Sequence, residues 1–233
     1  MSCDPSDENG RRAVLFDLDG TLTDPFQGIT GSIQYALERV GVETIPDAEE
    51  LRWCIGPPLQ ENFQILLGDG DPDRVDAAVH FYRERYGAGG LFENSVIDGV
   101  PETLRDLAER GFCLYVATSK LREPAVRIVE HFGLTGFFEH VYGTNADGSL
   151  SNKVELIAHI LECEQLPALD AVMVGDRKHD LAGARANRVA AIGVTYGYGS
   201  VEELRAEMPL AIAQTSAEVG KLVMEWSEQA PDI

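Results

Sequence analysis

Residues 13–24 read AVLFDLDGTLTD, and this stretch decides the fold. An uninterrupted apolar run from Ala13 to Phe16 suits a strand covered on both faces, as in a parallel sheet. It delivers Asp17 at its carboxyl end. In extended chain, residues two apart point the same way, so Asp17 and Asp19 face one cleft while Gly20 lets the backbone turn sharply. Two neighbouring carboxylates suit phosphoryl transfer, one as nucleophile and the other as proton shuttle, provided their surroundings separate their pKa values.

Working outward, similar apolar runs recur at 112–117 (FCLYVA), 171–174 (AVMV) and 190–194 (AAIGV), with a weaker one at 140–143 (HVYG). Amphipathic, helix-length segments at about 99–110, 122–132, 152–163 and 178–187 separate them, with Pro101 and Pro124 near helix starts. Alternation of this kind predicts a parallel α/β sheet with right-handed crossovers. Residues 25–94 break the rhythm. They carry helical patterns (GITGSIQYALERV, LQENFQILL, DRVDAAVHFYRERYG) and Gly/Pro turns but no convincing strand. The expected organisation is a flexible tail at 1–12, an α/β core at 13–24 and 95–227, and an inserted all-helical domain at 25–94. The insert leaves the core after the first strand, on the side where open α/β sheets bind ligands.

The 233 residues carry 39 acidic against 19 basic side chains, a net charge of −20. Such a surface disfavours nucleic acid polymers, whose binding draws on Lys and Arg displacing counterions. Small anionic metabolites remain compatible, because a few cations and a metal inside one cleft reverse the local field. The 44% hydrophobic share is that of a globular chain. Cys3, Cys54, Cys113 and Cys163 lack zinc-like spacing and read as free thiols. The first dozen residues lack the apolar stretch of a secretory signal, and no run approaches a membrane span, so the expectation is a cytoplasmic protein with no membrane partner.

Other residues fit the same chemistry. Thr118, Ser119 and Lys120 follow the second apolar run, where hydroxyls and backbone N–H groups can hold phosphate oxygens near a helix start. Lys153 opens a helix-length segment; alone it would read as solvated surface, but a transferring phosphoryl group among carboxylates requires fixed positive charge. Asp176 follows the run AVMVG, and strand-end acids converging from different strands are what a hard cation needs. Asp180 lies one helical turn further, where an acid is also favoured by the helix dipole. Arg177, Lys178 and His179 form the densest cationic patch of the core. Phe81, Tyr82 and Tyr86, at helical spacing, read as core of the helical insert.

DLDGTLTD, VATSK (116–120), Lys153 and GDRKHD (175–180) occur in the order of the four signatures of the haloacid dehalogenase superfamily, which this chain resembles over about residues 13–200. The resemblance implies a Rossmann-like, doubly wound parallel sheet with a helical cap. It implies an Mg²⁺-dependent phosphomonoesterase in which Asp17 is the nucleophile, Asp19 the acid–base, and Thr118 and Lys153 the groups that steady the phosphoryl group. Gly20, Ser119 and Lys120 would line the phosphate. The metal ligands would be Asp17, Asp176 and the backbone carbonyl of Asp19, with Asp180 supporting the metal shell or orienting Lys153. In the insert, CIGPPL (54–59) resembles the specificity loop of this cap type, which implies Gly56 approaching substrate and Arg52 as an anion clamp. Strings such as IGPPLQENF and GDRKHD resemble the phosphoglycolate phosphatase-like and 5′-nucleotidase-like branch. The expected substrate is therefore a small phosphorylated metabolite, phosphoglycolate-like first and nucleoside monophosphates second. A β-phosphoglucomutase-like phosphomutase and a non-enzymatic phosphate-binding protein follow, and the expected state is a monomer or weak homodimer.

Overall fold

The computed structural model describes residues 12–68 and 70–229. The described residues form two compact units, one from 12–23 together with 96–229, and one from within 24–95.

The first unit is built on a parallel sheet. Strand β1 is Ala13–Phe16; a short strand β2 (Thr23–Asp24) pairs with another, β3 (Ser95–Val96), outside the main sheet. The sheet continues with β4 (Cys113–Leu121), β5 (His140–Thr144), β6 (Ala171–Gly175), β7 (Ala190–Val194) and β8 (Ala211–Ala213). Its six strands lie in the order β5-β4-β1-β6-β7-β8. Strand β1 is central and every residue in it is buried, which is why its sequence is apolar without alternation. Chain order runs outward from β1 to β4 and β5 on one side, then to β6, β7 and β8 on the other. The reversal beside β1 is the switch point at which such sheets open a crevice.

Residues of one parity, among them Ala13, Leu15, Tyr115, Ala117, Ala171 and Met173, pack with Leu156, Ile157, Ile160, Leu181 and Ala184. The last five belong to helices α6 (Lys153–Cys163) and α7 (Lys178–Ala186). Residues of the other parity point to the opposite face, where Phe16 meets Phe138 edge-on at 6.4 Å between ring centres. Helix α4 (Val100–Glu109) packs on the last helix, α9 (Ser216–Gln229), and the Ser216 and Thr103 hydroxyls bond at 2.9 Å. Helices α5 (Arg122–His131) and α8 (Val201–Ala206) complete the unit.

Two differences from the sequence reading stand out. Strand β4 runs on to Leu121, with an irregular register against β5 between Ala117 and Leu121, so Thr118, Ser119 and Lys120 sit within a distorted strand end rather than in a following turn. Strand β8 and helices α8 and α9 were not foreseen. Of the cysteines, Cys54 and Cys163 are free thiols, whereas Cys113 is disulfide-bonded, which corrects the expectation for that residue. Cys3 and the rest of the 1–11 stretch lie outside the described residues.

The second unit is helical: α1 (Phe26–Arg39), a 3₁₀ turn (Glu49–Cys54), α2 (Leu59–Leu67) and α3 (Pro72–Ala88). Gly68, at φ +65°, ends α2, and Asp71 caps α3 by accepting the Asp73 N–H at 3.1 Å ahead of Pro72. Phe63, Tyr82 and Tyr86 form its aromatic core, with Tyr82 and Tyr86 stacked at 5.3 Å. Arg85 on α3 donates to Ser32 on α1 and pairs with Glu93 at 2.8 Å. Among the described residues, no helix is long and apolar enough to cross a membrane.

Candidate active site

Register brings the candidate residues level. Phe16 aligns with Val116 on β4 and with Val174 on β6, so the next residues, Asp17, Ala117 and Gly175, lie level across neighbouring chains of the sheet. The Asp17 N–H still bonds the Val174 carbonyl at 2.9 Å, after which the Asp17–Asp24 segment folds over itself through N–H bonds from Leu22 and Thr23 to the Leu18 carbonyl. Gly20 adopts φ +85° here, and a Cβ on it would stand 2.3 Å from Asp176 Oδ2. Both the turn and the close approach require glycine at this position.

One oxygen from each of Asp17, Asp176 and Asp180 lies within 4.8 Å of the other two. Lys153, 5% exposed at the start of α6, enters this cluster. Its Nζ stands 2.8 Å from Asp17 Oδ1 and 2.6 Å from Asp180 Oδ1, and donates to the Ala117 carbonyl at 2.6 Å. The ammonium thus has one hydrogen-bonded carbonyl and two carboxylates within 2.8 Å. Burial alone would lower the Lys153 pKa, but Asp17 and Asp180 outweigh it, so the pKa is raised and the ammonium stays charged.

The carboxylates differ. Asp180 Oδ2 accepts the Arg177 N–H at 3.0 Å at the start of α7, while Oδ1 faces Lys153 Nζ at 2.6 Å. It therefore both caps the start of α7 and pairs with Lys153. Burial is the largest influence on its pKa, which is pushed up to about 6 despite Lys153. Asp176, fully buried, accepts the Tyr198 N–H through Oδ2 at 2.7 Å, while Oδ1 is buried without a partner. Its pKa is held well above the usual range by burial and by Asp180 and Asp17. A fully buried carboxylate with one orphaned oxygen, beside two further carboxylates, fits a hard divalent cation, which needs oxygen ligands and would repay that desolvation. Among the three, the Asp17 side chain is 11% exposed and that of Asp180 only 1%, so Asp17 is the one a ligand can reach.

Asp19 does not join this cluster. Its Oδ2 pairs with Lys120 at 2.6 Å, and burial raises its pKa even against that cation. Thr118, 2% exposed, accepts the Lys120 N–H at 3.2 Å, and the Ser119 carbonyl accepts the Thr144 hydroxyl at 2.7 Å. The structure thus gathers Asp17, Asp19, Gly20, Thr118, Lys120, Lys153, Asp176 and Asp180 at the carboxyl ends of β4, β1 and β6, with Ser119 on the same strand end. Arg52 and Gly56 belong to the helical unit. There Arg52 lies near Glu49 at 3.9 Å and over the Phe26 ring, and Gly56 has φ +109°.

The 177–179 patch is less cationic than its sequence suggests. Arg177 Nε pairs with Glu203 at 2.9 Å, while Lys178 and His179 are exposed. Partial desolvation together with Arg177 and Lys178 lowers the His179 pKa. Lys153 and Lys120 supply the positive charge beside the acids. Sequence reasoning missed Glu203, Tyr196 and Tyr198. Glu203 has no motif around it, and the Gly/Tyr alternation of TYGYGS, though visible, carries no ligand-like side chain pattern.

The chain belongs to the haloacid dehalogenase-like hydrolase family, whose pattern it matches over residues 14–194. Within that family it is a phosphatase. It is 51% identical over 196 residues, 84% of this chain and 88% of the relative, to a 5′-nucleotidase of Pseudomonas aeruginosa. It is 40% identical over 190 residues to the tyrosine-protein kinase PtkA of Mycobacterium tuberculosis, 81% of this chain but 64% of that relative. Among solved structures, a predicted phosphatase from Clostridium acetobutylicum superposes with a TM-score of 0.86 at 39% identity, over 93% of this chain and 99% of the other.

Proposed function

We propose that the protein hydrolyses small phosphomonoesters through an aspartyl phosphate formed on Asp17, with Mg²⁺ as cofactor. The observation that supports this best is the contrast within one cluster: a reachable carboxylate, Asp17, is gripped by a buried lysine and flanked by two carboxylates shut away from solvent. When bound, Mg²⁺ would be held by Asp17, Asp176 and the backbone carbonyl of Asp19, with Asp180 in support, and would offset charge on the phosphoryl oxygens.

Asp17 attacks phosphorus in line, forming the aspartyl–phosphorus bond as the ester P–O bond breaks. Asp19, whose raised pKa favours the protonated acid, gives its proton to the departing alkoxide oxygen. It then takes a proton from the water that attacks the same phosphorus, releasing inorganic phosphate and restoring Asp17. Lys153 orients Asp17 and keeps a fixed positive charge beside it, and Thr118 and Ser119 with Gly20 and Lys120 line the phosphate. An acid at Asp19 and a metal set built on Asp176 are what a carbon–halogen hydrolase of this superfamily would not need.

For the substrate, nucleoside 5′-monophosphates move ahead of phosphoglycolate, because the 51% identity is to a protein named a 5′-nucleotidase. The test is phosphate release from nucleoside monophosphates, phosphoglycolate and sugar phosphates with and without Mg²⁺, for the wild type and Asp17→Asn. Expected is Mg²⁺-dependent release, highest kcat/KM on nucleotides, and none from the variant. Release confined to phosphoglycolate would overturn the nucleotide assignment, and an active Asp17→Asn protein would overturn the nucleophile.

A further inference from the structure

The segment Thr195–Ser200, TYGYGS, joins β7 to α8 and takes no part in the reaction as described, yet it encloses Asp176. The Tyr198 N–H donates to Asp176 Oδ2 at 2.7 Å. A Cβ on Gly197 would stand 2.4 Å from that same oxygen and 2.5 Å from the Gly20 carbonyl; a Cβ on Gly199 would stand 1.9 Å from the Asp176 carbonyl oxygen. Neither glycine has a positive φ. Space, not backbone conformation, therefore demands glycine at both positions, because the chain passes against Asp176 more closely than any side chain permits.

The loop is tethered at both ends to segments that carry candidate ligands. The Tyr196 hydroxyl bonds the Thr21 carbonyl at 3.3 Å, within the segment bearing Asp17 and Asp19. Ser200 caps α8 by accepting the Glu203 N–H at 3.1 Å, and Glu203 in turn accepts from Arg177 Nε and from the Lys178 N–H, both at 2.9 Å, just beyond Asp176. One Asp176 oxygen is thereby fixed, and the other, Oδ1, is left buried and unpartnered. Outer groups that hold a ligating carboxylate in one orientation tune the affinity of the site.

We propose that the Thr195–Ser200 loop is a positioning element: it fixes the Asp176 carboxylate through the Tyr198 N–H and the close pass of Gly197 and Gly199, and so sets the affinity of the acidic cluster for its divalent cation. The inference rests on the reading of Asp17, Asp176 and Asp180 as that cation's site. The test is Mn²⁺ binding to the purified full chain, read from the free-ion electron paramagnetic resonance signal, for the wild type, Gly197→Ala, Gly199→Ala, Tyr196→Phe and the control Gly136→Ala. Gly136 lies far from any such contact, with nothing within 4 Å of its Cβ position. Expected is a dissociation constant raised at least tenfold by either loop glycine variant and severalfold by Tyr196→Phe, unchanged in the control, with turnover recovering as Mg²⁺ is raised. Folded glycine variants that bind Mn²⁺ as tightly as the wild type would overturn the proposal. Should both glycine variants fail to fold, Tyr196→Phe, which adds no atom, decides: an unchanged constant there overturns it. Failure of the wild type itself to bind Mn²⁺ would overturn the cation reading beneath it.

Discussion

Lys153 and Asp180 form a buried ion pair, Nζ to Oδ1 at 2.6 Å, and the same ammonium reaches Asp17 at 2.8 Å. One lysine thus links the acid that caps α7 to the acid that finishes β1. Removing a partner from a buried charge cluster leaves the others uncompensated, a cost of about 3–5 kcal/mol. Lys153→Met is expected to lower the unfolding free energy by an amount of that order in metal-free buffer, with Mg²⁺ recovering part of it. Turnover is expected to fall by about 10²–10³ or more at any Mg²⁺ concentration, because the lost charge sits where the transition state needs it. Denaturant titrations with and without Mg²⁺, alongside steady-state kinetics, check both.

On the proposed mechanism, Asp19 matters most where the leaving group is a poor one. An alkoxide needs its proton in the transition state, whereas p-nitrophenolate departs without one, and general acid catalysis contributes about 10²–10⁴. Asp19→Asn is therefore expected to slow formation of the aspartyl phosphate far more from an alkyl phosphate than from p-nitrophenyl phosphate. Rapid-quench measurement of the first turnover on both substrates gives the ratio, and equal losses would remove Asp19 from the acid role.

Gly20 and Gly41 both hold a left-handed backbone, at φ +85° and +77°, but only Gly20 is crowded: its Cβ position meets Asp176 Oδ2 at 2.3 Å, while that of Gly41 meets nothing within 4 Å. Gly41→Ala should carry only the strain of the left-handed conformation, roughly 1–2 kcal/mol, at unchanged activity. Gly20→Ala adds a methyl group inside the acidic cluster, and a loss of activity beyond about a hundredfold is expected. Thermal unfolding and kcat/KM of the two variants separate strain from obstruction.

These residues also show what was legible in the sequence. Strand β1 and its terminal Asp17 were readable because a strand buried on both faces must be apolar throughout, and the helical insert because its periodicity and turn residues are local. Strand β8 was not, being a three-residue, partly exposed edge with no pattern of its own. The true surroundings of Lys153 were equally hidden, since its burial depends on acids supplied by β1 and α7, distant along the chain. Arg177 read as a cation of the cleft because its neutralising partner, Glu203, stands 26 residues on. The polarity of Thr118–Lys120 suggested a turn, yet in the fold it is satisfied within a strand end.

The pH dependence of stability offers a test of the acidic cluster that needs no substrate. In the metal-free fold Asp180 has its pKa pushed from 3.8 to about 6, chiefly by burial, and Asp176 lies well above its ordinary range for the same reason. A carboxyl group whose pKa is raised on folding binds its proton more tightly in the native state, so between pH 4 and 6 the native protein holds more protons than the unfolded chain. Stability contributed by Asp180 is then full below its unfolded pKa and is lost as pH rises through 3.8 toward 6. General repulsion in a chain of net charge −20 also grows with pH, but it acts on wild type and variant alike. The unfolding free energy in chelator is therefore expected to fall more steeply from pH 4 to 7 for the wild type than for Asp180→Asn, which has no proton to release there. Adding Mg²⁺ should flatten the wild-type curve, because a bound cation favours the ionised carboxylates that burial disfavours. Parallel slopes for the two proteins without metal would mean that Asp180 is not strained by its burial, and the electrostatic account of the cluster would fail.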